Sequence, residues 1–154
     1  MTAVTYDERL SVPLRWWVQG TMLVASLWLA VIVAMPLTAA WVVSAIALAL
    51  LSALFLAYGA ARVRVADGVL SAGQARIEVR FLGEPETLDA HEARLAAGRD
   101  ADARAYFLLR PYLKRAVRIP LEDPADPTPY WLINTRRPDR LAAAITEAKA
   151  PTRP

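Results

Sequence analysis

The 154-residue chain contains no cysteine and a single histidine, His91. Without thiols there are no disulfides, thiolate zinc sites, iron–sulfur ligands or cysteine nucleophiles. One imidazole leaves the usual His-rich metal and acid–base constellations incomplete. Glycine is scarce too, and Gly68, Gly73, Gly83 and Gly98 are scattered where turns are expected, so there is no phosphate-cradling Gly-rich loop. The most informative absence is charge: the 46 positions between Arg15 and Arg62 hold no Asp, Glu, Lys, Arg or His.

What fills that interval is apolar, and it is too long for one membrane span but suits two of about 20 residues each. The spans are expected at residues 16–35 and 40–60. Pro36 lacks an amide donor and disfavours helix at Met35, so Pro36-Leu37-Thr38 marks the turn of a tight helical hairpin. Arg9 and Arg15 precede the first span, Arg62 and Arg64 follow the second, and the turn has no basic residue. The positive-inside rule then places both termini in the cytoplasm of a multi-pass protein of the inner (plasma) membrane. Trp16, Trp17, Trp41 and Tyr58 occupy interfacial belt positions, while Trp28 falls in mid-span. A signal peptide cleaved near Ala39-Ala40 is the competing reading; the mixed charge ahead of it and the long apolar core argue against it.

Small residues recur at every fourth position: Ser26, Ala30 and Ala34 on the first helix, and Ala45, Ala49, Ala53, Ala57 and Ala61 on the second. Such stripes let helix backbones approach closely in lipid, so this one is expected to hold the hairpin together or to join two hairpins by self-association. Alanine is also abundant throughout the chain, which is the plainer explanation. Because neither span carries an ionisable group of the kind proton or ion pathways need, a transporter is disfavoured.

Residues 1–15 read as a cytoplasmic N-terminal segment, 16–61 as the membrane hairpin, 62–150 as a cytoplasmic domain and 151–154 as a tail. Domain and tail together, from position 62 onward, hold 16 of the 18 basic and 13 of the 15 acidic residues. Arg62-Val63-Arg64-Val65 alternates as a half-buried strand, Asp67-Gly68 is the strongest hairpin signal in the chain, and Val69-Leu70-Ser71 returns. Residues 75–81 alternate cleanly, with Ile77, Val79 and Phe81 expected inward. Pro85, among acids, reads as the start of a helix carrying Leu88, His91, Glu92 and Leu95 and stopped by Gly98. Further strands are expected at 106–109, 117–121 and 130–135, and a closing amphipathic helix from Pro138 to Ala148. The fold class is therefore an α+β membrane protein: a two-helix hairpin, then a small antiparallel sheet with a C-terminal helix.

The Asp67-Gly68 hairpin, and Thr135-Arg136-Arg137-Pro138 leading into the last helix, resemble the pleckstrin-homology-like (PH-like) split barrels of bacterial membrane proteins. Tyr6-x-Glu8-Arg9-Leu10 before a double span, Gly98-Arg99-Asp100-Ala101-Asp102, the run Asp123 to Trp131, and Thr135-Arg136-Arg137-Pro138 are similar to an actinobacterial family of alanine-rich two-span membrane proteins. That family has no assigned activity, cofactor or catalytic residues, so the resemblance implies architecture without mechanism.

Three features are candidate sites. Prolines 120, 124, 127 and 129 stiffen the segment around Asp123 and Asp126, ahead of Tyr130 and Trp131. It reads either as an acidic binding loop or as a stiff connection whose Asp side chains stabilise turns. Three carboxylates, Glu122 included, are too few for a hard-cation site. The basic residues Arg62, Arg64, Arg115, Arg118, Arg136 and Arg137 read as a membrane-facing set or as solvated surface. Interleaved acids and a net charge of only +3 argue against nucleic acid. His91, on a stripe with Leu88 and Leu95, is expected to be packed. No nucleophile–base pair is visible, and no metal or other cofactor is expected. The leading expectation is a non-enzymatic adaptor anchored in the lipid bilayer, whose PH-like domain binds a protein partner or lipid headgroups beside the inner leaflet. The alternative is an enzyme or accessory subunit acting on a membrane-embedded substrate.

Overall fold

The computed structural model describes residues 4–150; the expected tail at 151–154 lies outside them. The chain forms two units, residues 11–60 and a second built from the segments on either side. The first is the helical hairpin. Helix α1 runs Leu14–Ala34 and α2 Leu37–Tyr58, with Pro13 and Pro36 at their N-terminal boundaries. At 1.5 Å per residue each is about 32 Å long, enough for a hydrocarbon core of about 30 Å. Both are long and apolar enough to cross a membrane.

The hairpin packs along a seam that composition alone does not reveal. On α2 the buried or half-buried positions include Ala40, Ser44, Ala47, Leu51 and Phe55; on α1 they include Gly20, Val24, Trp28 and Val31. Gly20 lies so close to Leu51 and Phe55 that an added Cβ would meet the Leu51 methyl at 2.7 Å. Trp17 packs edge-on to Phe55 at 5.2 Å, and mid-span Trp28 packs on Trp41 at 5.3 Å. The small-residue stripe is elsewhere. Ser26, Ala30, Ala34, Ala45, Ala49, Ala53 and Ala57 are all exposed, and Ala61 lies beyond the helix. One residue of helix is a rotation of about 100°, so a stripe starting at Ala45 faces sideways from a seam through Ser44. The expectation that it holds the hairpin together is therefore corrected.

The second unit begins before the hairpin. Residues Val4–Arg9 form β1, antiparallel to β2 (Arg62–Ala66), with Arg9 opposite Arg62 and a bulge between Val4 and Tyr6. Thus the segment expected to stand apart as residues 1–15 supplies the sheet's edge strand, and the hairpin is an insertion between neighbouring strands. β2 turns through Asp67 (φ 52°) and Gly68 (φ 72°) into β3 (Val69–Ala72). Two consecutive positive φ values are what a type I′ hairpin turn needs, which is why Asp-Gly suits it. β4 (Ala75–Glu78) completes a sheet of order β1-β2-β3-β4. It is shorter than its alternation suggests. From Val79 to Phe81 the chain makes a 3-10 turn, Val79 N donating to Gly68 O at 2.8 Å, and only Val79 is fully buried.

The second sheet has order β5-β7-β8-β6, from β5 (Glu86–Leu88), β6 (Tyr106–Leu108), β7 (Ala116–Pro120) and β8 (Tyr130–Asn134). Its pairings are antiparallel except β6–β8, which is parallel, a departure from the expected all-antiparallel sheet. The helix expected to begin at Pro85 starts later. Helix α3 is Ala90–Ala97, and Asp89 and Glu92 form a capping box that releases residues 86–88 to pair with β7. Helix α4 (Pro138–Lys149) buries Leu141, Ala144 and Ile145 against a core drawn from both sheets, including Val63, Val65, Leu70, Val117, Ile119 and Ile133. The sheets are also tied by Tyr106, whose hydroxyl donates to Ala72 O at 2.8 Å, and by Gly83 N to Pro120 O at 2.7 Å.

Candidate functional site at the strand ends flanking the hairpin

β1 alternates without being apolar: Tyr6, Glu8 and Leu10 face inward, and Glu8 is only 8% exposed. An ionised carboxylate so placed needs hydrogen-bond donors. The Tyr6 and Thr135 hydroxyls both donate to Glu8 Oε2 at 2.5 Å, and Arg136 N donates to Oε1 at 3.0 Å. The Arg136 guanidinium is 3.8 Å from the same Oε1 and donates to Arg9 O at 3.2 Å. Thr135 Oγ1 in turn accepts from Arg137 N at 3.0 Å. Burial, and then donation to Glu8, push the Tyr6 phenol well above its ordinary range. Tyr6 and Glu8 thereby fasten the strand that leads into the hairpin to the segment that starts α4.

A second buried polar residue fixes the loop of residues 110–115. Asn134 Oδ1 accepts from Arg110 N at 2.9 Å, and its Nδ2 donates to Arg115 O at 3.1 Å and Leu113 O at 3.4 Å. From that loop Tyr112 donates to Leu10 O at 2.5 Å, and Arg115 Nη2 donates to Arg136 O at 2.9 Å. Arg9, Arg62, Lys114, Arg115, Arg136 and Arg137 are thus carried on segments bonded to one another around Leu10 and Ala61, where the chain passes to and from the helices. Asp7, 3.8 Å from Arg62, is the exposed acid on β1.

Of the six arginines singled out by sequence, the structure brings Arg62, Arg115, Arg136 and Arg137 into this collar. Arg64 stands one row further along β2. Arg118 is elsewhere, paired with Glu86 at 2.5 Å across β5 and β7. The acidic loop resolves into turns: Asp123 Oδ1 accepts from Ala125 N at 2.9 Å, and Asp126 Oδ1 from Thr128 N at 2.8 Å. Hydrogen bonds from the Thr128 side chain and amide lower the Asp126 pKa. Trp131 is buried against Tyr106, and Tyr130 stacks edge-on to Phe107 while its hydroxyl accepts from Asp102 N at 3.0 Å. Neither aromatic residue lines an acidic pocket. His91, expected to be packed, is exposed on α3. Among the described residues no three His, Asp or Glu side chains gather as a metal site.

Sequence reasoning noticed Tyr6-x-Glu8-Arg9 and Thr135-Arg136-Arg137 as separate motifs and missed that they meet; Tyr112 and Asn134 it passed over. The available signal was a carboxylate at an inward position of a strand and a buried-type Asn ending another. No curated protein and no solved structure matches the chain. Residues 5–145, which contain both halves of the collar, match the family described as Protein of unknown function (DUF3093), and the chain belongs to that family.

Proposed function

We propose that this protein is a membrane-anchored, non-enzymatic adaptor, its PH-like sheet domain held at the inner leaflet of the plasma membrane with both termini cytoplasmic. The observation that carries this reading is the basic collar built around the two chain crossings. Arg62 follows the last residue of α2, Tyr58, by four positions, so the backbone cannot carry it more than about 14 Å away. A basic side chain that comes within a Debye length of an anionic leaflet, about 8 Å at physiological salt, gains about 1 kcal/mol. The buried Glu8 and Asn134 support the same reading, because they hold the collar's backbone in place before any lipid is met. The two-sheet core closed by α4 supports the PH-like comparison, although the parallel β6–β8 pair lies outside it. An enzyme acting through Asp123 and Asp126 has less to draw on, since both carboxylates are engaged in their own turns. A reporter active only in the cytoplasm should work at both termini, and alkaline extraction should leave the chain with the membrane. A C-terminal fusion active outside the cell would overturn the proposal.

A further inference from the structure

Among the described residues of the sheet unit, no helix packs on the face of the first sheet opposite the core. In register across it lie Asp7 on β1, Arg64 on β2, Ser71 on β3 and Arg76 on β4. Arg64 and Arg76 are exposed and Ser71 is half-exposed between them. Strands two apart in a sheet are separated by about 9.5 Å, so two arginine side chains can close over the hydroxyl that divides them. The nearby acids are engaged elsewhere: Asp7 faces Arg62 at 3.8 Å, and Glu78 holds Arg80 at 2.8 Å. Among the described residues Arg64, Arg76 and Ser71 have no side-chain hydrogen bond or ion pair. Two like charges flanking one donor, neither guanidinium held in an ion pair, form an arrangement that an added anion would complete, and guanidinium forks match the oxygens of a phosphate.

We propose that Arg64, Ser71 and Arg76 form a phosphate clamp that takes the headgroup of an anionic lipid. The proposal rests on the membrane-anchored reading, since β2 leads directly from α2 and Arg64 is six residues past Tyr58, at most about 21 Å of chain. It goes beyond the collar by assigning one ligand group to three named side chains. Because both arginines project from paired strands, a flexible tail is not needed to reach the headgroup.

The test uses the full chain purified in a neutral detergent. Retained lipid is counted by native mass spectrometry after adding phosphatidylglycerol or phosphatidylcholine at equal concentration. The wild-type chain should retain the anionic lipid in preference. Arg64→Gln with Arg76→Gln should weaken that retention about ten- to thirtyfold, the loss expected of two basic contacts at an anionic surface, and leave phosphatidylcholine unchanged. Ser71→Glu places a carboxylate between the arginines and should cause the same loss through occupation of the clamp, with both strands intact. Undiminished phosphatidylglycerol retention by either variant, or equal retention of the two lipids by the wild type, would overturn the clamp. So would inorganic phosphate binding at these residues with no lipid preference, which would assign the site to a soluble anion. A chain that stays in solution without detergent would instead overturn the anchored reading, independently of the lipid counts.

Discussion

The hairpin and the sheet unit treat polar and apolar groups in opposite ways. Every large hydrophobic side chain exposed among the described residues lies between Leu14 and Leu56, with Val33 at 88% and Leu14 at 78%. In the sheet unit the exposed faces are charged, and its buried polar residues, Glu8, Asn134 and Thr135, are all hydrogen-bonded. The hairpin, by contrast, leaves buried Ser44 Oγ and Trp28 Nε1 without partners. A helix satisfies its own backbone and can leave a neutral hydroxyl or indole unmet at about 1–3 kcal/mol each. A sheet edge carrying a carboxylate cannot, and it needs donors placed to meet it. The lesson is that specificity in the sheet unit rests on a few polar residues, while in the hairpin it rests on small ones at the seam.

The first way to break that comparison is to remove the carboxylate. Glu8→Ala leaves the hydroxyls of Tyr6 and Thr135 and the Arg136 amide without their acceptor. The expected loss is about 3 kcal/mol, the order found when one partner of a buried charged network is deleted. Hydrogen exchange should show β1, β2 and the start of α4 losing protection together, while α1 and α2 are unaffected. Glu8→Gln keeps one acceptor oxygen and should cost less, which separates the charge from the hydrogen bonds.

The hairpin counterpart is Gly20→Val, which forces Leu51 and Phe55 aside and should cost about 1–3 kcal/mol of helix pairing. Quenching between Trp17 and its surroundings reports it directly. Ala49→Leu with Ala53→Leu enlarges the exposed stripe and should leave that pairing as it was. A change in particle mass in detergent would then assign the stripe to self-association, and a loosened hairpin would contradict the seam described above.

How much of this was legible follows from the range of each interaction. The Asp67-Gly68 turn, β2, β3, β8 and α4 depend on neighbours close in sequence, and their patterns show plainly. β1 does not, because two of its inward residues are Tyr6 and Glu8 and its partner lies beyond the whole hairpin. The collar has the same problem in stronger form: Glu8 and Thr135 are 127 positions apart, and nothing local in either motif names the other. α3 was misplaced for the opposite reason. Pro85 among acids is a plausible local start, but the Asp89–Glu92 box is a better one and wins. Alanine's abundance made the stripe visible, and only the packing shows that the seam is one residue away.

A smaller effect is expected at that cap. Asp89 Oδ1 accepts from the Glu92 and His91 amides, and these bonds, in that order, lower its pKa. A carboxyl depressed in the folded state stabilises it in full above the unfolded value, near 3.9, and that contribution is lost as pH falls through the folded one. The Ala93 and Ala96 methyl resonances should therefore broaden on acidification before those of β2 and β3. In Asp89→Ala this local acid step should disappear, leaving α3 less ordered at neutral pH.

The smallest effect separates stiffness from charge in the segment around Asp123 and Asp126. Each carboxylate uses its Oδ1 to accept an amide two residues on. An asparagine offers a carbonyl oxygen at the same place, so Asp123→Asn with Asp126→Asn keeps both turns and removes two negative charges. Pro124→Ala with Pro127→Ala keeps the charges and frees the unfolded chain, at about 0.4–1 kcal/mol per site. If the segment is a brace between β7 and β8, thermal melting falls for the proline pair and hardly moves for the asparagine pair, and lipid retention is unchanged in both. Should the asparagine pair instead lose a bound partner while melting like the wild type, the acidic side chains would be recognised from outside. The rule that this unit's polar side chains serve its own backbone would then fail at its most exposed loop.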